Sequence, residues 1–446
     1  LTETTNINNS TAQHQYITFN NTIDYRASIA TMDDTKSRSL DFVERYHVAQ
    51  HRAGSLPCIT IIGSMIHPDF DQMMFNIQTN VERLMREHPV LVAGIDDTDS
   101  RRPRWIINNN EPPLVTDQYL LHPVIDANRH PVSGAAEVAS IEDAEAQEFN
   151  LAQGPLWRVA IYKPKLDYPA AHYVALTIHH AVTDSMGALN LFEDVLRPHS
   201  VNHNPGPERS LPPKAKKTMR IQPSIAGIIK KGVRSILNHK SSWKVTGGHG
   251  VTIKWPPPSL LKAPPRKSDV SHISLDLRKD QYRVVERLEA LGDHTGSVHS
   301  LLHTAAVIAL TAATANDIFH NIDTETPKSL RSEDLTHPRI GGNYTGLIER
   351  SIPRWKLGRY TVASFTKKFN DYIHSPEGES EARSNMGELL LAPDRIIPDF
   401  WKASLTKTAT SGDPYRHSLS ISNLGRFDSK DIIGLEKVWF SHASMP

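Results

Sequence analysis

The stretch "VALTIHHAVTDSMGALNLFEDVL", residues 174–196, joins an apolar run to two adjacent histidines, an aspartate four residues later and an amphipathic run. With the residues before it, "AHYVALTIH" reads as a short apolar strand ending at His179. After Asp184, the apolar positions Leu189, Phe192, Val195 and Leu196 recur at three- and four-residue intervals, which predicts a helix. His179 and His180 therefore fall where a strand gives way to a loop. A histidine there, facing a cleft, exchanges a proton near neutral pH because its unperturbed pKa is about 6.5. That suits a general base acting on a hydroxyl or amine. Asp184 could orient the ring or hold the loop through an ion pair, and spacing alone does not choose.

Two other chemistries fit less well, and a purely structural histidine pair stays open. Adjacent side chains on an extended strand point to opposite faces, and no third ligand at helical spacing completes a metal site, so no metal is expected. A serine hydrolase needs a nucleophile on a G-x-S-x-G elbow, and none is present.

Working outward, "DFDQMMFNIQTNVERLMREHPVL" places Met73, Met74, Ile77, Val81, Leu84 and Met85 on one helical face, with Pro89 ending the helix. "GPLWRVAIYKP" reads as a strand preceding the histidine strand. Past residue 270, "HISLDL" reads as a strand and "RKDQYRVVERLEAL" as a helix. "GSVHSLLHTAAVIALTAATAN" reads as a helix apolar nearly all round, hence buried. "RIGGNYTGLIERSIP" looks like a glycine-containing loop feeding a strand, and "HSLSISNLGRF" like a strand ending in a tight loop. Two α/β halves result, 1–200 and 271–446. Between them, 201–270 reads as a proline-rich basic crossover: no acidic residue occurs from Arg209 to Ser268. Its central piece "SIAGIIKKGVRSILNHK" carries Lys230, Lys231 and Arg234, candidates to attract an anionic ligand or a membrane surface.

The 446 residues, 39% hydrophobic and 22% charged, provide apolar matter for more than one core. A formal net charge of +1 gives no bias toward nucleic acid, and no apolar run approaches the length of a membrane span. Cys58 is the only cysteine, so an intramolecular disulfide is excluded and a reducing, intracellular, cytoplasmic setting is expected.

"HHAVTDSMG" resembles the HHxxxDG motif of the condensation-domain and acyl-CoA-dependent acyltransferase superfamily. "GPLWRVAIY" resembles the strand before that motif, and "SVHSLLHTAAVIAL" the buried helix of the second lobe. "SLRSEDLTHPRIGGNYTG" is similar to the segment with a structural arginine and a Gly-Asn turn, and "SISNLG" to the Ser-Asn-x-Gly loop. These features occur in family order and span roughly residues 39 to 440. The resemblance implies an α/β (α+β) fold of two chloramphenicol-acetyltransferase-like lobes with a central tunnel. It implies His180 as base, His179 as support, and Asp184 turned away to pair with Arg331. Gly187 and Gly425 would allow close backbone approach, and Ser422 and Asn423 would stabilise an oxyanion.

The expected activity is O-acyl transfer, with acetyl-CoA or another acyl-CoA as co-substrate and a lipophilic alcohol as acceptor. No permanently bound cofactor is expected, and a monomer is. The alternatives are a condensation or cyclising domain taking its acyl group from a carrier protein, a pericyclase or isomerase, or a binding protein. Two departures stand out. Ser185 replaces the glycine expected after the motif aspartate, with Gly187 two residues on, and the DFGWG motif of plant-type acyltransferases is absent.

Overall fold

The computed structural model describes residues 37–54, 57–67, 69–96, 102–107, 131–165, 171–197, 210–219, 221, 296–313, 321–331, 339–396, 400–409, 417–425, 427 and 430–443. The strand expected at "HISLDL", the helix after it and most of the basic crossover lie outside these residues.

The histidine strand is central. In the first half, β1 (Ser37–Ser39), α1 (Phe42–Arg52), β2 (Cys58–Ile66), α2 (Phe70–Glu87), β3 (Ala93–Asp96) and β4 (Arg104–Ile107) precede α3 (Ala135–Ala146). They are followed by β5 (Trp157–Tyr162), β6 (Ala171–His179) and α4 (Ser185–Leu196). With a strand from the end of the chain, β10 (Leu435–Ala443), a four-stranded antiparallel sheet has the order β10-β2-β6-β5, and a three-stranded one β1-β4-β3. Alternate residues of β6 serve two cores, as strand periodicity requires. Val174, Leu176 and Ile178 pack with Met73, Ile77 and Leu84 of α2 and Leu191 and Phe192 of α4. Ala175 packs on the other face with Val138 and Ala139 of α3. The predicted α2 runs to Glu87 and Pro89 opens a 3-10 turn, while Asp69 caps its start by accepting from Gln72 N–H at 2.9 Å.

On the α3 face lies a buried charge. The Glu142 carboxylate accepts from Arg158 Nε at 2.8 Å and Nη2 at 2.7 Å, from Thr177 Oγ1 at 2.6 Å and from the Tyr162 hydroxyl. Four donors make burial of this ion pair tolerable and fix α3 in register over β5 and β6.

In the crossover α5 (Ala215–Thr218), and in the second half α6 (Val298–Ala313), precede β7 (Asn321–Ser329) and β8 (Thr345–Pro353). Then come α7 (Val362–Ile373), α8 (Pro376–Gly387), α9 (Phe400–Ala409), β9 (Leu419–Ser420) and β10 (Leu435–Ala443). β8-β7-β9 form the third sheet. Its core joins Phe42 and Val43 of α1 to Leu330, Tyr344, Ile348, Phe369 and Met386. β10 crosses back and pairs with β2, so the last strand completes the sheet of the first half.

The expectation that α6 is buried all round needs correction. Its inward face is His299, Ser300, His303, Thr304 and Val307, whereas Leu302 and Ile308 are 43% and 40% exposed. Polar partners explain the inversion: His303 Nε2 lies 3.0 Å from Thr324 Oγ1, its ring stacks on Phe369, and Thr366 donates to Thr304 at 2.9 Å. Among the described residues no helix is long and apolar enough to cross a membrane.

Candidate functional site

β6 ends by placing one histidine inside and one at the rim. His179 is fully buried, and its Nδ1 accepts from Ala181 N–H at 3.0 Å, which puts the ring proton on Nε2. His180 is half-buried, with its backbone N–H donating to Pro57 O at 2.7 Å. The His180 ring meets Asn343, whose Oδ1 lies 3.4 Å from Nδ1. Asn343 Nδ2 donates to the carbonyl of His180 at 2.8 Å, which fixes the amide orientation, since the flipped form would oppose two oxygens. The carbonyl oxygen of Asn343 thus faces Nδ1, the proton sits there, and Nε2 keeps its lone pair. Burial pushes the His180 pKa below its ordinary value, with the Asp184 charge and the Asn343 contact opposing, so the ring is neutral at neutral pH.

Two further imidazoles adjoin it. His47 of α1 stacks on His180 with centroids 4.4 Å apart and planes 11° apart, and His442 of β10 meets it edge-on at 5.0 Å. Desolvation, and then the repulsion a protonated His180 would exert, hold His47 well below the usual histidine range, whereas His442 is exposed at its place on the strand. His179 is also held well below that range, by burial first and then by His51 and His180.

Asp184 points away from this cluster and caps α4. One carboxylate oxygen accepts from Gly187 N–H at 3.0 Å and the other from Tyr344 N–H at 2.8 Å. Arg331 reaches it through Nε at 3.0 Å and Nη2 at 2.9 Å, and Nη2 also donates to Gly342 O at 2.9 Å. Burial opposes ionisation of Asp184, but the Arg331 charge and these hydrogen bonds outweigh it and hold the carboxyl below its ordinary value. Around it the loop after β6 is laced to residues 340–344: Thr183 bridges Gly342, Gly342 N–H donates to Val182 O at 2.9 Å, and Thr183 Oγ1 donates to Ile340 O. Gly187 is required by contact. A Cβ there would lie 1.9 Å from Thr183 Oγ1 and 2.1 Å from Ile340 O.

His179, His180, Asp184, Gly187 and Arg331 thus come together in one junction. Ser422 and Asn423 lie exposed on the loop after β9, where Asn423 Oδ1 accepts from Gly425 N–H at 2.9 Å and Gly425 adopts φ +77°. That turn uses the freedom of Gly425, which none of the described residues crowds. Lys230, Lys231 and Arg234 lie outside the described residues. His47, Asn343 and His442 have no counterpart in the sequence reading. Asn343 sits inside a segment already quoted, whereas nothing local marks the other two.

The described residues also gather Glu325, Glu349 and His417 with potential ligand atoms within 4.8 Å of one another. Glu325 and Glu349 are directly opposite across β7 and β8, and His417 reaches one with each ring nitrogen, at 3.2 and 3.4 Å. Burial opposes charge on His417, but the two carboxylates prevail and raise its pKa.

No protein-family profile matches the chain, and no curated protein matches it in sequence. Solved structures do. The trichothecene 15-O-acetyltransferase TRI3 from Fusarium sporotrichioides superposes with a TM-score of 0.55 at 12% identity, over 92% of this chain and 86% of that one. The condensation domain of the monacolin K polyketide synthase MokA gives 0.50 at 13% identity, over 80% and 75%. The X-domain from teicoplanin biosynthesis gives 0.50 at 13% identity, over 94% and 84%. The chain therefore has the two-lobed α+β fold that condensation domains share with this acetyltransferase.

Proposed function

We propose that the protein is an acyl-CoA-dependent O-acyltransferase that moves an acetyl group onto a hydroxyl of a lipophilic small molecule. The observation that carries this reading is the neutral, half-buried His180, with Nδ1–H turned to Asn343 and the Nε2 lone pair left for an acceptor. In this scheme Nε2 takes the hydroxyl proton as the oxygen attacks the thioester carbonyl. The resulting oxyanion collapses, the C–S bond breaks, and the imidazolium returns the proton to the thiolate. No acyl-enzyme forms. Holding both substrates in a tunnel between the lobes supplies much of the acceleration by proximity.

His179 supports this by walling the base from within, and Asp184 with Arg331 by holding the loop that presents it. The Ser422 hydroxyl and the Asn423 Nδ2 group are the donors assigned to the oxyanion, which needs one about 3 Å away. Lys230, Lys231 and Arg234 are assigned to the CoA phosphates. Charge-neutral substitutions there that leave the acyl-CoA KM unchanged remove that assignment.

The test is incubation with acetyl-CoA and a panel of terpenoid, polyketide and simple alcohols while free thiol is measured. His180→Ala should lower turnover about 10²–10⁴-fold while melting at the wild-type temperature. Activity only with an acyl carrier protein would instead assign the donor to a phosphopantetheinyl thioester. Activity without any acyl donor would end the transferase reading.

A further inference from the structure

The base is a histidine on a turn, and a turn residue has two side-chain torsions to settle. Its bond to Asn343 is long, 3.4 Å between heavy atoms, and a contact of that length fixes a ring only weakly. Something else must hold the ring plane if Nε2 is to stay aimed. The packing supplies it from two segments remote in sequence, α1 and β10.

His47 covers one face of the ring, nearly parallel to it. Its own orientation is fixed. His47 Nδ1 lies 2.9 Å from Gln50 Oε1, and Gln50 Nε2 is directed at the Tyr46 hydroxyl at 3.4 Å, so the amide presents its oxygen and His47 Nδ1 carries the hydrogen. The helix that presents it is firmly started. The Asp41 carboxylate accepts from Phe42 N–H at 2.7 Å, and Glu44 reaches back to Asp41 N–H at 2.5 Å. His442, at 84° to the base, closes an edge. A stacked aromatic pair is stabilised beyond its buried area, which favours one ring orientation over others.

We propose that His47 is a positioning residue for His180, its ring clamping the plane of the base so that the Nε2 lone pair stays directed at the acceptor. The inference rests on His180 acting as the base. The groups around His180 are His47 from α1, His179 before it on β6, Asn343 from the loop before β8 and His442 from β10, with the charge of Asp184 felt at the ring although its carboxylate is turned to Arg331. His47 shares no proton with the base, because stacked rings present faces to each other and not nitrogens.

Two variants and two readouts test it. His47→Phe keeps an aromatic face and removes the nitrogens, and His47→Ala removes the stack. With an acceptor in hand, His47→Ala should lower kcat about tenfold and His47→Phe no more than about threefold, the KM for acetyl-CoA being unchanged in both. The second readout needs no substrate. Diethyl pyrocarbonate modifies neutral, accessible imidazole nitrogens, and its reaction at His180 can be mapped by peptide mass spectrometry from about pH 5 to 8. Wild type and His47→Phe should share one pH profile, and the His47→Ala midpoint should move up toward the ordinary value of about 6.5 as water reaches the ring. A His47→Phe protein as impaired as His47→Ala overturns the clamp in favour of the ring nitrogens. A His47→Ala protein that matches wild type in both readouts overturns it outright. If no alcohol is acylated, the reagent profile still reads the clamp, so its failure and the failure of the acyltransferase reading are separate.

Discussion

At the scale of single residues, the reactivity of His180 is set by what surrounds it. Desolvation disfavours the imidazolium, and the amide of Asn343 selects the tautomer. The acid limb of the kcat/KM profile should therefore lie below pH 6.5, since the base form persists as protons become more available. Asn343→Asp puts a carboxylate beside Nδ1, stabilises the imidazolium and should move that limb upward by about one pH unit or more. A pH-rate profile that does not move would show that residue 343 does not govern the base. His180, Asp184 and Arg331 could be read from the sequence because a motif and an ordered set of segments carry them. Asn343 belonged to the same "RIGGNYTG" segment, but its role depends on an amide orientation that only neighbouring carbonyls decide.

At the scale of elements, the junction between β6 and α4 is the critical joint. Asp184 is at once the helix cap, the partner of Arg331 and the acceptor for Tyr344 N–H. Asp184→Ala removes a buried carboxylate and leaves the half-buried Arg331 guanidinium without it, and should cost about 3–5 kcal/mol, seen as a lowered denaturation midpoint. Gly187→Ala forces backbone and side chain apart at the same place and should destabilise by about 1–3 kcal/mol. A stable but inactive Asp184→Ala protein would move the aspartate from the scaffold to the chemistry. The elements at this joint were legible because their periodicities are strong: β6 alternates between two cores, and α4 turns Leu191, Phe192 and Val195 inward. α6 was legible as a helix but not in its facing, because its histidines and threonines found partners on β7 and α7 that no local pattern contains.

At the scale of the whole molecule, buried and half-buried neutral histidines make the fold acid-sensitive. The folded pKa values of His47, His179 and His180 are lowered, so below about pH 6.5 the unfolded chain binds protons that the folded chain refuses. Their contribution is present above that pH and is lost as pH falls, by up to about 1.4 kcal/mol per pH unit for each histidine. Chemical denaturation at pH 7.5, 6.5 and 5.5 should show stability falling through that series, and a flat series would mean that these rings are solvated. The sequence by itself determined the elements near the motif, because helix and strand periods are local properties, and its resemblance to a family singled out His180 as the base to propose. Only the tertiary structure decided that β10 returns to the first sheet and that residues 47, 180, 343 and 442 meet. The reason is physical: edge pairing, ring stacking and desolvation depend on which surfaces the whole chain brings together.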